Sequence, residues 1–518
     1  MIEQAARRIA EGIVAKAPEG WTEAVLSSQV DRRSASLAGR ITVPGATGHC
    51  PPPDASFEDL RRLGDAVRQL RGWDGTALEL RCRRSGEHEL LAFEDSVSRL
   101  NGVRGGFHAV LDGDYRLPQP GADQEAGAAA PVGDPALAGA RFRTYLERRA
   151  EIRSRPDQLP PPAPESAIEE AERRIGHRLP ADLRALYRIA DGDAVGHDPC
   201  HLIGTYGWLS LESMVAVRER LRTPFWYGWE LGWDWVVFDA DPPNTVRRCG
   251  GHPAWLPFAT GEDGNYLAVD LAPARDGRPG QVIRIGADYR DGPQYVAESV
   301  TALIGRYLEQ LESTSYEYDV EEGWIELDDT EEWAGQRQFI GEIPDPVSPT
   351  LQALYLHDLA GVVDLSPLTA ATQLRRLYVG RSAVADLSPL RGLPVESLRV
   401  PLEGGDLSPL EGHPTLRSLE LATVASVDLA VLRTLPNLHG LDVADATVGD
   451  LTVLADLPGL RYLALNRHQW TELLAADNVP STLAAAGLMD PEATMSEALA
   501  WAARLGHDTS GAIRLRFS

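Results

Sequence analysis

The 518 residues carry 76 acidic against 50 basic side chains, a formal charge of −26. A chain of that length supports about three or four domains, and its negative balance argues against a phosphate backbone or an anionic membrane as partner, because both demand clustered cations. Lys16 is the only lysine, which removes the phosphate-loop lysine, the kinase lysine and, short of Lys16 itself, a Schiff-base lysine.

Met1 to Ala17 mixes apolar residues with Glu3, Arg7, Arg8 and Glu11, so it reads as an amphipathic helix and not a signal peptide. No stretch reaches the roughly 18 uninterrupted apolar residues of a membrane helix. Cys50, Cys82, Cys200 and Cys249 lack the spacing of a disulfide framework. The expected compartment is therefore a reducing cytosol. Ala6, Ile9 and Ile13 form one helical face, and Ser56 with Asp59 is placed to cap a second helix bearing Leu60, Leu63, Val67 and Leu70. Strand-like runs cover Leu37–Val43, Ala77–Cys82, His88–Phe93 and Phe107–Leu111. Residues 1–116 thus read as an α+β domain. The helix followed by Pro18-Glu19-Gly20-Trp21 and a later strand pair is similar to the YezG-type immunity proteins. Residues 117–140, rich in Pro, Gly and Ala and without an apolar period, read as a flexible linker.

In the middle domain, residues 141–315, Ser166 and Glu169 make a capping box ahead of Ile168, Ala171 and Ile175, and Gly176 ends that helix. Leu179-Pro180 opens a second helix with Leu183, Leu186, Tyr187 and Ala190 on one face, closed by Asp191-Gly192. Downstream come Trp208-Leu209, Trp255-Leu256-Pro257-Phe258-Ala259, Asp263-Gly264-Asn265-Tyr266, Val269-Asp270-Leu271 and a closing helix from Val296 to Leu308. This order of motifs resembles the SUKH superfamily, whose founding members include yeast cell-wall assembly regulators. The resemblance implies an α+β fold and a binding role; bacterial members are commonly immunity proteins that neutralise toxins, often nucleases or deaminases. The segment between Ser210 and Trp255 departs from the family as a long aromatic insertion.

In Phe225-Trp226-Tyr227-Gly228-Trp229-Glu230-Leu231-Gly232-Trp233-Asp234-Trp235, a strand would put Trp229, Trp233 and Trp235 on one face. With Trp226 they make either a platform for a protein partner or part of a core. His197, Cys200 and His201 with Cys249 and His252 carry zinc-ligand chemistry at loose spacing. The segments also look like loops whose His and Cys ligate nothing, so no metal and no cofactor is assigned. Residues 316–348 are strongly acidic, with Glu317, Asp319, Glu321, Glu322, Glu326, Asp328, Asp329, Glu331 and Glu332. They form either a phosphate-mimicking surface or a solvated connector capping the next domain.

Over residues 349–466 the phrase apolar-x-x-Leu-x-apolar recurs six times at intervals of 21 to 23 residues, beginning at Leu351, Leu374, Val395, Leu416, Leu438 and Leu460. Five copies precede a second block that starts Asp-Leu, at Asp364, Asp386, Asp406, Asp428 and Asp450. The pattern resembles the leucine-rich repeat family in its short bacterial form. One unit buries too few aliphatic side chains to fold alone, so the units must stack into a solenoid. Strand alternation turns Tyr355, His357, Arg376, Tyr378, Arg399, Glu420, Asp442, Tyr462 and Asn466 onto the concave face. They are either protein-binding residues or merely solvated strand positions. Residues 467–518 read as a helical cap.

No Gly-x-Ser-x-Gly elbow, His-Glu-x-x-His, phosphate loop or dinucleotide fingerprint is present, and no catalytic residue is assigned. The sequence thus predicts a cytosolic, non-enzymatic, multidomain α+β protein: an N-terminal α+β domain, a SUKH-like α+β domain and a C-terminal leucine-rich solenoid. The leading expectation is an immunity protein that captures a basic toxin. The alternative is a regulatory scaffold using the SUKH-like and repeat surfaces. Both take a protein partner, with no direct nucleic acid, membrane or small-molecule substrate.

Overall fold

A computed structural model describes the chain apart from residues 1, 33, 46–56, 101–104, 194–200, 222–225, 227, 262, 320–322, 328–336 and 358. The expected cap at Ser56 lies outside the described residues. The helices Ile2–Lys16 and Phe57–Arg71 lay Ile9, Ile13, Leu60, Leu63 and Val67 on an antiparallel sheet. Its strand order is Ala38–Thr42, Glu23–Val30, Thr76–Arg83, His88–Glu94 and Ile513–Phe517. The fifth strand comes from the far end of the chain. Ile513 and Phe517 alternate with Arg514 and Arg516, which buries the apolar pair in the first core and hydrogen-bonds an edge that would otherwise stay open. Residues 467–518 are therefore not simply a helical cap: the helices Arg467–Ala475 and Met495–Arg504 alternate with the strands Ala485–Leu488 and Ile513–Phe517.

The repeats form one sheet in which the strands from Gln338–Gly341 through Ala353–Leu356, Arg376–Val379, Ser397–Leu402, Ser418–Val427, Gly440–Val448 and Tyr462–Leu465 to Ala485–Leu488 run parallel. Leu354, Leu377, Leu398, Leu419, Leu441 and Leu463 pair in register and are buried, each contributing about 1.5–3 kcal/mol. The second block explains its own aspartate. Ser366, Ser388, Ser408, Ala430 and Thr452 each donate a backbone N–H at 2.8–2.9 Å to the Asp two residues before, starting a 3-10 turn that drives Leu368, Leu390, Leu410, Leu432 and Leu454 into the core. At the last repeat, Ala485–Leu488 pairs antiparallel with Gly106–Val110, whose hairpin partner is Val97–Leu100. Phe93, Val97 and Phe107 thereby join the repeat core, so residues 1–116 do not stand apart as an independent domain.

The middle domain packs the helices Pro135–Arg153, Glu165–Ile175, Ala181–Tyr187, Leu211–Arg220 and Val300–Glu312 on an antiparallel sheet. Its strand order is Gln294–Ala297, Gln281–Gly286, Asn265–Asp270, Trp255–Thr260 and Gly207–Trp208. Three expectations fail in and around this domain. Pro164, fixed in an extended conformation, is the N-cap of the first motif helix, so Ser166 and Glu169 lie inside it and form no capping box. The 117–140 segment is not a flexible linker. Asp134 caps a helix that starts at Pro135, and Gly121 and Gly127 donate backbone hydrogen bonds to Arg248 and Pro273. The 316–348 segment is not a separate connector either: the hairpin Tyr316–Tyr318/Ile325–Leu327 sends Ile325 and Leu327 into the middle core, and Gln338–Gly341 begins the repeat sheet. Asp182 of the Leu-Pro-x-Asp motif is buried, accepting from Thr301 N–H at 3.0 Å and Thr301 Oγ1 at 3.1 Å, which ties the motif helix to the closing helix.

Candidate functional site

The residues singled out in the aromatic insertion and on the repeat face meet each other. Trp229–Gly232 is a single helical turn, followed by irregular chain, so the indoles do not share the face of a strand. Trp229 and Trp233 are buried in a cluster with Tyr462 and Ala464 of the sixth repeat strand. The Trp233 ring lies 4.9 Å from that of Tyr462 with 15° between planes, and Trp229 lies 6.3 Å from it at 7°. Gly440 makes the close approach possible, since a Cβ there would sit 2.7 Å from Trp233 Cε3. His439 Nε2 donates to the Trp233 carbonyl at 3.0 Å, and burial pushes its pKa down to about 3, so the imidazole is neutral.

The contact continues along the repeats. Arg376 donates to the Asp234 carbonyl at 2.8 Å and to the Tyr355 hydroxyl at 3.3 Å. Val236 and Phe238 pack on Ala353 and Tyr355. Gln352 and Asp239 exchange two hydrogen bonds, Asp239 N–H to Gln352 Oε1 at 2.7 Å and Gln352 Nε2 to the Asp239 carbonyl at 3.1 Å. Glu396 is buried between two guanidiniums, Arg248 of the insertion and Arg375 of the preceding repeat, the latter at 2.9 Å. The 115–127 strap completes the seam: Tyr115 stacks on Trp229 at 6.0 Å, Arg417 donates to Pro118 at 2.8 Å, and Gly250 N–H donates to Gln119 at 3.0 Å.

The predicted binding face therefore divides. Tyr462 is buried and Arg376 is engaged in the internal seam, and Asp442 is buried with a bond to its own strand, accepting the Ala444 N–H at 3.0 Å, so none of the three lies on an open surface. Trp229 and Trp233 are likewise core, while Trp226 and Trp235 are half-buried, Trp226 edge-on to Trp229 at 5.5 Å and Trp235 reaching Asp291 at 3.3 Å. Phe225 and Tyr227 lie outside the described residues. What remains accessible is a row across four repeats. His357 is exposed, Tyr378 lies 5.1 Å from it, Arg399 sits 4.4 Å above the Tyr378 ring, and Glu420 pairs with Arg399 at 3.0 Å. Tyr355 is half-buried at the near end of that row.

Sequence reasoning passed over the position just before each strand, where Gln352, Arg375, Glu396 and His439 face the insertion. The signal was available: Arg375 and Glu396 carry opposite charges there, and the insertion carries the complementary Asp239 and Arg248. Of the loose zinc set, His197 and Cys200 lie outside the described residues. Cys249 is buried with its thiol pushed up to about 12, His252 accepts the Ala254 N–H at 3.1 Å, and His201 packs 5.6 Å from Trp324. Among the described residues no three His, Cys, Asp or Glu side chains converge to hold a metal ion. Of the nine carboxylates in the acidic stretch, Glu317, Asp319 and Glu326 are described, and the others lie outside.

A mixed α/β domain docked on a stack of in-register parallel repeat strands defines a multidomain α/β protein. Residues 162–306 match the SMI1 / KNR4 family (SUKH-1), and the middle domain is a domain of that family. Similar proteins include a glucan synthesis regulatory protein of Neurospora crassa, 29% identical over 33% of this chain and 37% of its own length. The cell wall assembly regulator SMI1 of Saccharomyces cerevisiae is 37% identical over 18% of this chain and 16% of its own length. The cell wall biosynthesis/cell cycle regulator smi1 of Schizosaccharomyces pombe is 28% identical over 31% and 33%. The chain thus spans between 16% and 37% of the length of these relatives. Among solved structures, an internalin from Listeria monocytogenes is 27% identical over 25% of this chain and 41% of its own, with a TM-score of 0.22. The repeat assignment rests on the register of the parallel strands from Gln338–Gly341 to Ala485–Leu488. No helix among the described residues is long and apolar enough to cross a membrane.

Proposed function

We propose that this chain is a non-enzymatic regulatory adaptor that holds other proteins through its SMI1/KNR4-type domain and the open row of its repeats. The observation that carries the reading is the seam itself. Burying Trp229, Trp233 and Glu396 between the two modules holds both surfaces in one geometry, as a scaffold requires and as tethered modules would not provide. The open row, His357, Tyr378, Arg399 and Glu420, has the aromatic and arginine chemistry of binding hot spots. The fungal relatives are regulators of glucan synthesis or cell-wall assembly, which supports regulation, the reading placed second on sequence grounds, over capture of a toxin. A protein partner is proposed, with neither nucleic acid nor a membrane as its target, because the charge of −26 repels both.

The test is affinity capture from native cytosol with the full chain and with a Tyr378→Ala/Arg399→Ala variant. Recovery of cell-envelope synthesis or regulatory proteins, reduced in the variant, is the expected result. One-to-one nanomolar capture of a single basic toxin by both forms would replace this reading with immunity.

A further inference from the structure

The middle domain contains a cleft that meets the seam only at Gly250 and lies apart from the repeat row. It lies between the helix Leu211–Arg220, the return of the insertion at Gly250–Pro253 and the ends of the strands Trp255–Thr260, Asn265–Asp270 and Gln281–Gly286, with a volume of about 460 Å³. That is within the roughly 300–1,000 Å³ of small-ligand sites. Arg218, Arg220, Arg290 and His252 line it beside Trp255 and Tyr266, and no carboxylate contributes to its lining among the described residues. In a chain of net charge −26 this is a local reversal of sign. A low-dielectric concavity walled by cations focuses field lines and concentrates anions.

The partners of the basic groups reinforce the point. Arg184, Arg248 and Arg375 each pair with a carboxylate, whereas Arg220 makes no ion pair among the described residues and donates at 2.8 Å to a neutral acceptor, the Tyr266 hydroxyl. That bond holds the guanidinium at the cleft wall without cancelling its charge. Arg218 is anchored by donating to the Pro253 carbonyl at 2.9 Å. His252 accepts the Ala254 N–H through Nδ1 at 3.1 Å, so in its neutral form Nε2 carries the proton and is a donor. At Gly286, with φ of +132°, a Cβ would lie 2.5 Å from the Gly264 carbonyl oxygen, so the cleft rim is kept bare by backbone conformation.

We propose that this cleft binds a small organic phosphate with a planar ring, a mononucleotide by class, with Arg220 and Arg290 on the phosphate and the ring set beside Trp255, Tyr266 and Ile285. Guanidinium groups match phosphate oxygens in geometry and charge, and aromatic neighbours with an apolar wall suit a flat heterocycle. The ligand would bridge the insertion to the sheet, since Gly250–Pro253 lines the same cleft. This site is separate from the repeat row, and its occupancy can be measured without any protein partner.

Calorimetric titration of the full chain with AMP, inorganic phosphate and adenosine tests the proposal. AMP should saturate one site at least about ten-fold more tightly than either fragment, and Arg290→Gln should weaken it by about ten-fold or more, as for loss of a charge-assisted contact. Arg220→Gln should act in the same direction. If loss of its bond to Tyr266 unfolds the domain, the half-buried loop position Arg290 carries the test alone. Absence of saturation by AMP, binding of inorganic phosphate as tight as AMP, or undiminished AMP binding by a folded Arg290→Gln variant would each overturn it.

Discussion

The indole of Trp233 stacks on the phenol ring of Tyr462 with centroids 4.9 Å apart, joining the insertion of the SMI1/KNR4-type domain to the sixth repeat strand. Trp233→Ala and Tyr462→Ala should each cost about 3–5 kcal/mol as large-to-small changes in a core. A double-mutant cycle should return a coupling of about 0.5–1.5 kcal/mol, the usual range for an aromatic pair. Gly440→Val should separate the modules by obstructing the same ring. Urea unfolding of the four variants checks this, and additivity of the two alanine changes would remove the stacking term.

Glu396 lies buried between Arg248 and Arg375. Glu396→Ala leaves Arg248 buried without its carboxylate and Arg375 with only Asp239, 3.7 Å away, and should destabilise the chain by about 3–5 kcal/mol. Glu420→Ala, at the more open pair with Arg399, should cost only about 0–1 kcal/mol. Equal midpoints for the two variants in denaturant would contradict the burial argument.

The strand Ile513–Phe517 completes the first sheet along His88–Glu94. Truncation after Gly506 should expose that edge, open the core around Ile513 and Phe517, and promote self-association through strand pairing. Light scattering behind a sizing column, together with amide exchange at Leu90 and Ala92, reads both effects. A monodisperse truncated monomer with unchanged protection would show the strand to be dispensable.

Burial lowers His439 from 6.5 to about 3. Between those values the unfolded chain binds a proton that the folded chain does not, so stability rises with pH and falls as pH drops from about 6.5 towards 3. The slope is about 1.4 kcal/mol per pH unit for one proton. His439→Gln, which can still donate to the Trp233 carbonyl, should remove that share of the slope. Denaturant titrations at pH 7, 6 and 5 measure it; an unchanged slope would show that His439 titrates alike in both states.

Much of the architecture could be read from spacing. Leu354, Leu377 and Leu398 announce parallel in-register strands because strand geometry repeats every two residues and the repeat length fixes the stack. Asp364 and its counterparts announce turns because a carboxylate reaches its own backbone two residues on. Leu183, Leu186 and Tyr187 mark a helix of the middle domain through their periodicity. The candidate site was half legible: Trp229, Trp233, Asp442 and Tyr462 are buried, whereas Tyr355, His357, Tyr378, Arg399 and Glu420 keep an accessible face.

From sequence alone came two of the modules, the middle domain through the order of its motifs and the repeat stack through its period, since strand and turn preferences act over a few residues. Only the tertiary structure decided that the tryptophans of one module close over Tyr462 of another, that Ile513–Phe517 returns to the first sheet, and that residues 115–127 form a bound strap. Trp233 and His439 are 206 positions apart. What brings them together is complementarity of shape, charge and hydrogen bonding between two surfaces, and such matching leaves no regular interval along the chain.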